Sequence, residues 1–219
     1  MTELEMKKYS RNALLGSFVS MLTAGLATMM YSVSISTIRT DLALTAVQAG
    51  SLGTYTFMGQ MLGGMVAGYL ADRYGRKNIL IVDVILATLA VFATSLLQSY
   101  SIFGILRFIT GVGLGGCYYI ASILIGEFVP TNKRGFMSGV ATSVWNFGYV
   151  VCCAMSAFAL PSIGWRWCFR ICALPIVFVI FMIFGMKDAP SFTAAKANRD
   201  KRDKEEGRKV NAYAEIWSH

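Results

Sequence analysis

Charge and histidine are what this sequence has least of. Only 15% of its 219 residues are charged while 55% are hydrophobic, and the single histidine, His219, is the last residue. A soluble domain carries roughly 25% charged residues. The shortage deepens with position, because 14 of the 32 charges lie in the last 33 residues. Residues 1–186 are left with 12 Lys/Arg and 6 Asp/Glu, too few to solvate a globule of that size. This argues against a soluble enzyme and against a nucleic-acid binder, despite a net charge of +8. With one terminal histidine, His-ligated metal or haem and His-dependent hydrolysis lack their central residue. Five cysteines (Cys117, Cys152, Cys153, Cys168, Cys172) fall in apolar runs, where they read as small packing residues. No metal site and no cofactor is expected.

What is present is length without charge. Uncharged stretches run over 12–38, 42–71, 84–106, 108–126, 135–165 and 171–186. Crossing ~30 Å of hydrocarbon takes about 20 mostly apolar residues in a helix. The runs predict an all-α membrane protein with six spans, near 13–37, 46–71, 78–97, 101–126, 136–160 and 167–186, forming a domain over 1–186. Lys/Arg placement sets orientation. With the N-terminus inside, 16 basic residues fall on the cytoplasmic side and only Arg39, Arg166 and Arg170 outside. Both termini are therefore expected in the cytoplasm of a cell-membrane protein. The basic balance is a topology signal.

One loop carries most of the information. Between spans 2 and 3 stands Gly68-Tyr69-Leu70-Ala71-Asp72-Arg73-Tyr74-Gly75-Arg76-Lys77. Gly75 allows a tight turn, and Arg73, Arg76 and Lys77 offer donors to carboxylates. The segment resembles the major facilitator superfamily, whose signature here reads G-x-L-x-D-[RK]-x-G-R-[RK]. All seven specified positions match, an event on the order of 10⁻⁸ per starting position at average residue usage. The resemblance implies a half-fold of two inverted three-helix repeats. It also gives this loop the part of a conformational latch: Gly68, Asp72, Arg73, Gly75, Arg76 and Lys77. Glu127-Phe128-Val129-Pro130-Thr131-Asn132-Lys133-Arg134-Gly135 is similar to the sugar-porter pattern E-x-x-P-x-x-x-R-G, which adds Glu127 and Arg134 to the latch. Trp165-Arg166-Trp167 and Asp188-Ala189-Pro190-Ser191-Phe192 resemble that branch too, although Ser191 stands where it has arginine.

Inside the spans, a charge is a functional hypothesis by default. Arg107 in span 4 is the first such residue and the leading candidate for a substrate or coupling contact, and the resemblance places a comparable arginine there. The GxGxxG look-alike Gly111-Val112-Gly113-Leu114-Gly115-Gly116 lacks the strand before it and the acid after it that a dinucleotide loop needs. Such glycines in a membrane helix allow close helix packing, and Gly59/Gly63, Gly64/Gly68 and Gly135/Gly139 repeat the spacing. Span 1 has no acidic residue and span 5 no proline, so two signatures of proton-coupled and drug-efflux relatives are missing. Asp83 remains as a possible proton site, or as a partner for the basic 73–77 loop. Polar and aromatic candidates for a substrate cavity are Tyr31, Tyr55, Gln60, Tyr118, Tyr119, Trp145, Asn146 and Tyr149.

The expected function is secondary transport of a small polar metabolite, an organic anion or a sugar, by alternating access across a lipid bilayer, with protons as a possible coupling ion. An uncoupled facilitator and a non-transporting partner or regulator are the rivals. Six spans are half of the family's fold, so a second six-helix half or a dimer is the implied partner. Residues 187–219 read as a charged cytoplasmic linker ending before a seventh helix.

Overall fold

The computed structural model describes residues 3–186, with side chains from Tyr9 onward; the 187–219 linker lies outside the described residues. The described residues fold into helices α1 (Glu3–Asp41), α2 (Ala46–Tyr74), α3 (Arg76–Thr94), α4 (Tyr100–Phe128), α5 (Thr131–Phe158), α6 (Leu160–Cys172), a short 3₁₀ turn (Leu174–Ile176) and α7 (Val177–Gly185). No strand occurs among the described residues. Short connections reverse the chain each time, so α1 to α5 and the α6–α7 segment give six crossings. Five of these are apolar enough to cross a membrane by composition alone. The sixth, α2, is diluted by Gln48, Ser51, Thr54, Thr56 and Gln60.

Local chemistry explains the boundaries. Thr45 and Gln48 form a capping box at the start of α2, with Gln48 N–H donating to Thr45 Oγ1 at 3.2 Å and Thr45 N–H to Gln48 Oε1 at 2.9 Å. Pro130 caps α5, and Pro161 and Pro175 stand in the first turns of α6 and the 3₁₀ element, where a missing N–H costs nothing. Pro175 also cannot continue α6, so the last crossing is two pieces running from residue 160 to 185. The expected single helix over 167–186 is corrected accordingly.

The three-helix repeat is visible in the backbone. Gly75 joins α2 to α3 with φ 100° and ψ 138°, and Gly164 turns the chain into the body of α6 with φ 77° and ψ 164°. They are the positive-φ glycines among the described residues. Each occupies the second corner of its triplet, on opposite ends of the bundle. The faint likeness of Tyr74-Gly75-Arg76 to Ile163-Gly164-Trp165-Arg166 is thus a conformational likeness.

Packing repeats the pattern with partners exchanged. α2 packs most extensively on α4, and α1 on α5. In the first seam Gly59 and Gly63 meet Gly111 and Gly115 so closely that a Cβ on any of them would collide with the facing backbone. In the second, Gly25 and Gly148 bring α1 and α5 together in the same way. Gly135 and Gly139 have open space instead, so their spacing serves no contact within this half. The core lies where α1, α4 and α6 converge, around Tyr31, Phe103, Trp165 and Phe169. α5 is the least enclosed helix, with 17% of its apolar stretch buried against 56% for α4.

Candidate functional site

A concave cavity of about 600 Å³ opens on the face formed by α1, α2, α4 and α5. Its wall is aromatic and methionine-rich: Met29, Phe57, Met61, Tyr118, Tyr119 and Trp145. Thr28, Ser32 and Gln60 add polar groups to the Tyr118 and Tyr119 hydroxyls and the Trp145 indole, and Gln60 Nε2 lies 3.5 Å from Thr28 Oγ1. None of the lining side chains is charged. Helix period explains the grouping, since Thr28 and Ser32 share one face of α1, and Phe57, Gln60, Met61 and Gly64 share one face of α2. The Gly59/Gly63 edge turns the other way, into the α4 seam.

The expected cavity residues separate into those that line it and those that do not. Gln60, Tyr118, Tyr119 and Trp145 line it. Tyr31 is buried in the core with its hydroxyl donating to Ala49 O at 2.5 Å. Tyr55 borders a separate concavity with Tyr100, Gly104 and Phe108. Asn146 is exposed and donates to Thr142 O, and Tyr149 is exposed one turn beyond Trp145. Thr28, Ser32, Met29 and Met61 escaped the sequence reading because small hydroxyls and methionines look like packing until the seam direction is known.

The interior charges are both solitary. Arg107 is fully buried, and its Nε, Nη1 and Nη2 have no hydrogen-bond acceptor. It is enclosed by the rings of Tyr31, Phe103 and Phe169, with centroids 5.1, 5.9 and 5.4 Å from the guanidinium carbon. Each ring contributes about 0.5–2 kcal/mol, which supplies attraction but no acceptor for five N–H groups. Asp83 is buried on α3 with its carboxylate against Gly116 of α4, and its Oδ2 lacks a partner. It holds no ion pair with the 73–77 loop, so that expectation is corrected: a helix face turned toward α4 carries it away from those cations.

The residues expected to form a latch gather at the Gly75 end. Arg76 pairs with Glu127 at the end of α4, and with Asp72 at 3.5 Å. Lys77 Nζ donates to Ile183 O of α7 at 2.6 Å, joining the last crossing to the same corner. Arg134 Nε donates to Val129 O at 3.0 Å, which secures the α4–α5 connection. Arg73 lies over the ring of Tyr74 at the surface, 5.5 Å from its centroid. Gly68 faces Tyr119, where α2 and α4 open toward Asp72.

The opposite end holds a second clasp that sequence reasoning missed. Asp41, at the end of α1, accepts from Arg166 at 2.6 Å and from the Trp165 indole at 3.0 Å. Arg39 donates to Leu44 O and Arg170 to Ser95 Oγ, both at 3.3 Å. Arg39, Arg166 and Arg170 are therefore all engaged. They form part of the scaffold.

Comparison with known proteins agrees with this architecture. The Major Facilitator Superfamily profile matches residues 17–218. The cis,cis-muconate transport protein of Acinetobacter baylyi is 30% identical over 184 residues, 84% of this chain and 45% of that protein. The niacin transporter NiaP of the same organism is 32% identical, over 77% of this chain and 38% of that protein. The chain thus spans about half the length of the curated relatives it matches, and these relatives are transport proteins rather than enzymes. The inward-open xylose transporter XylE from E. coli superposes with a TM-score of 0.74 at 21% identity, covering 91% of this chain and 53% of that one. The chain belongs to the Major Facilitator Superfamily, and its helices form the N-terminal half of that multi-pass membrane fold.

Proposed function

We propose that this half forms one wall of a secondary transporter that moves a small planar organic acid by alternating access. The observation that carries the reading is the cavity: ring faces and methionines for a flat, conjugated body, with Thr28, Ser32 and Gln60 for its polar edge. A sugar would present hydroxyls all round its ring to a wall dominated by ring faces and methionines, so the acid is favoured over the sugar. The muconate and niacin transporters among the relatives fit the same substrate class. A second six-helix half supplies the facing wall and the charge that a carboxylate needs. The count of sixteen basic residues against three supports a reading in which the protein sits in the cell membrane with both termini on the cytoplasmic side.

Asp83 is the proposed proton site. Of Asp41, Asp72, Asp83 and Glu127, it is the acid that takes part in no ion pair. An intramembrane carboxyl without a partner is suited to exchanging a proton as its surroundings open. The facilitator reading keeps one observation in its favour, the absence of any acid from the cavity wall.

Proteoliposomes containing the chain with a second half test these readings. Nicotinate and cis,cis-muconate uptake should exceed xylose uptake, respond to an imposed proton gradient, and fall at least about tenfold in Trp145→Ala, the equivalent of ~1.4 kcal/mol. Asp83→Asn should remove the gradient response while binding persists. Gradient-independent uptake would establish the facilitator, and preference for xylose would overturn the substrate class. No uptake, with capture of a full-length transporter, would establish the partner role.

A further inference from the structure

Four glycines of α2 border α4, and packing explains three of them. A Cβ at Gly59 would strike the backbone at Phe108, and one at Gly63 the backbone at Val112. At Gly68 it would stand 2.8 Å from the Tyr119 ring. Gly64 has no such reason. Its Cβ would meet nothing nearer than Gly115 O at 3.7 Å, an ordinary van der Waals separation. Alanine would fit there, and it loses less chain entropy than glycine inside a helix. Gly50 and Gly53 are uncrowded too, but they line neither concavity of this face.

Position supplies the reason that packing does not. Met61, Gly64 and Tyr119 line both the 600 Å³ cavity and a second concavity of about 550 Å³. The second continues past Met65 and Gly68 to Asp72, which is paired there with Arg76. Gly64 therefore lies on the floor where the two join. The side chains beside it are large and open, Met61 being 65% exposed and Tyr119 47%. Gly64 and Gly115, both half-buried lining residues, present backbone with no side chain over it.

We propose that the space over Gly64 holds the flat body of the transported acid, and that the missing side chain at 64 sets how wide that body can be, a placement that rests on the organic-acid reading above. The peptide planes of Gly64 and Gly115 give a ring an uninterrupted face to lie on. Tyr119 supplies an aromatic side and Met61 an adaptable one. A methyl group at 64 would stand in this space without striking the α2–α4 seam. It would take room from the ligand and nothing from the fold. A ring should feel that loss more than a slender chain.

The test is ligand-observed NMR titration of the full chain in lipid nanodiscs with nicotinate, cis,cis-muconate and xylose, beside thermal unfolding of the same samples. Gly64→Ala should weaken nicotinate binding about tenfold and muconate binding about threefold, the scale of one methyl group in a pocket. Its unfolding midpoint should be no lower than that of the unaltered chain. Gly63→Ala should lower the midpoint, as a packing glycine does, and Gly50→Ala should change neither reading. Unchanged nicotinate binding in Gly64→Ala would overturn the proposal. So would a midpoint lowered as far as that of Gly63→Ala, which would make Gly64 a packing residue. Preference of the unaltered chain for xylose would be a failure of the acid reading alone. Gly64 would then be judged on xylose, and unchanged xylose binding in Gly64→Ala would overturn its role as well. A chain that binds none of the three overturns both.

Discussion

The corners at Gly75 and Gly164 solve one problem twice, and they differ in how they hold charge. Each reverses the chain through a glycine at positive φ, and each presents an arginine to a carboxylate at the end of the first helix of the other triplet. Arg76 reaches Glu127 at the end of α4, and Arg166 reaches Asp41 at the end of α1. The exchange mirrors the packing, in which α2 pairs with α4 and α5 with α1. Burial separates the two. The Arg76 and Glu127 side chains are 18% and 20% exposed, against 31% and 41% for Arg166 and Asp41. A pair with less water around it is less screened and harder to leave half-made. The Gly75 corner is thus the stiffer clasp. The Gly164 corner compensates with an indole hydrogen bond and with Arg166 over the Trp165 ring, 4.5 Å from its centroid.

The largest effect should come from Arg76→Ala. Removing one partner of a fully buried pair costs about 3–5 kcal/mol, and the residual exposure here reduces the expectation to about 2–3 kcal/mol. Unfolding in lipid bicelles measures it, with Arg166→Ala as the matched variant. A loss no greater than that of Arg166→Ala would break the ranking of the two corners. The glycines come next. Alanine at Gly75 or Gly164 should cost about 1–3 kcal/mol, because positive φ with an extended ψ is a backbone region open to little but glycine, and a Cβ at Gly164 meets no atom within 4 Å, so its cost is purely conformational. Equal losses would support the shared-turn reading, and a neutral Gly164→Ala would end it.

Asp41→Asn sharpens the comparison through salt. The amide keeps an acceptor for the Trp165 indole but loses the charge that Arg166 uses, a loss of about 1 kcal/mol. At 1 M salt, where screening acts within ~3 Å, the difference from the unaltered chain should shrink by more than half. The corresponding difference for Glu127→Gln should shrink less, because water and ions reach that pair less freely.

Much of this was legible in the sequence, and the failures have physical causes. Charge-free runs located the crossings, and the 68–77 motif located the stiffer corner, because both signals are local. The Asp41 clasp was not legible: its partners lie 124 and 125 residues away, and one acid in a short connection has no spacing to mark it. Hydropathy merged α6 and α7, since Pro175 interrupts a helix without interrupting its apolar character. Gln60, Tyr118 and Trp145 could be found as polar or aromatic groups in apolar runs. Thr28, Ser32 and Met61 could not, because which face of α2 meets α4 is decided by backbone contact at Gly59 and Gly63. Arg107 was conspicuous as a charge, while its aromatic enclosure depends on α1, α4 and α6 meeting.

The smallest stability effect is expected at Asp72, and it is the most informative about the proposed second half. Its side chain is 70% exposed and 3.5 Å from Arg76, which is already paired with Glu127. A surface pair of that kind contributes about 0–1 kcal/mol, so Asp72→Asn should leave unfolding of this chain within about 0.5 kcal/mol. The motif nevertheless holds an acid there, beside the opening between α2 and α4 at Gly68 and Tyr119. If its partner belongs to the second half, Asp72→Asn should change uptake by the joined halves while leaving this half's stability alone. Arg76→Ala should depress both. An Asp72→Asn protein unchanged in uptake would place the whole latch within this half, and the Gly75 corner would then be a scaffold like its counterpart at Gly164.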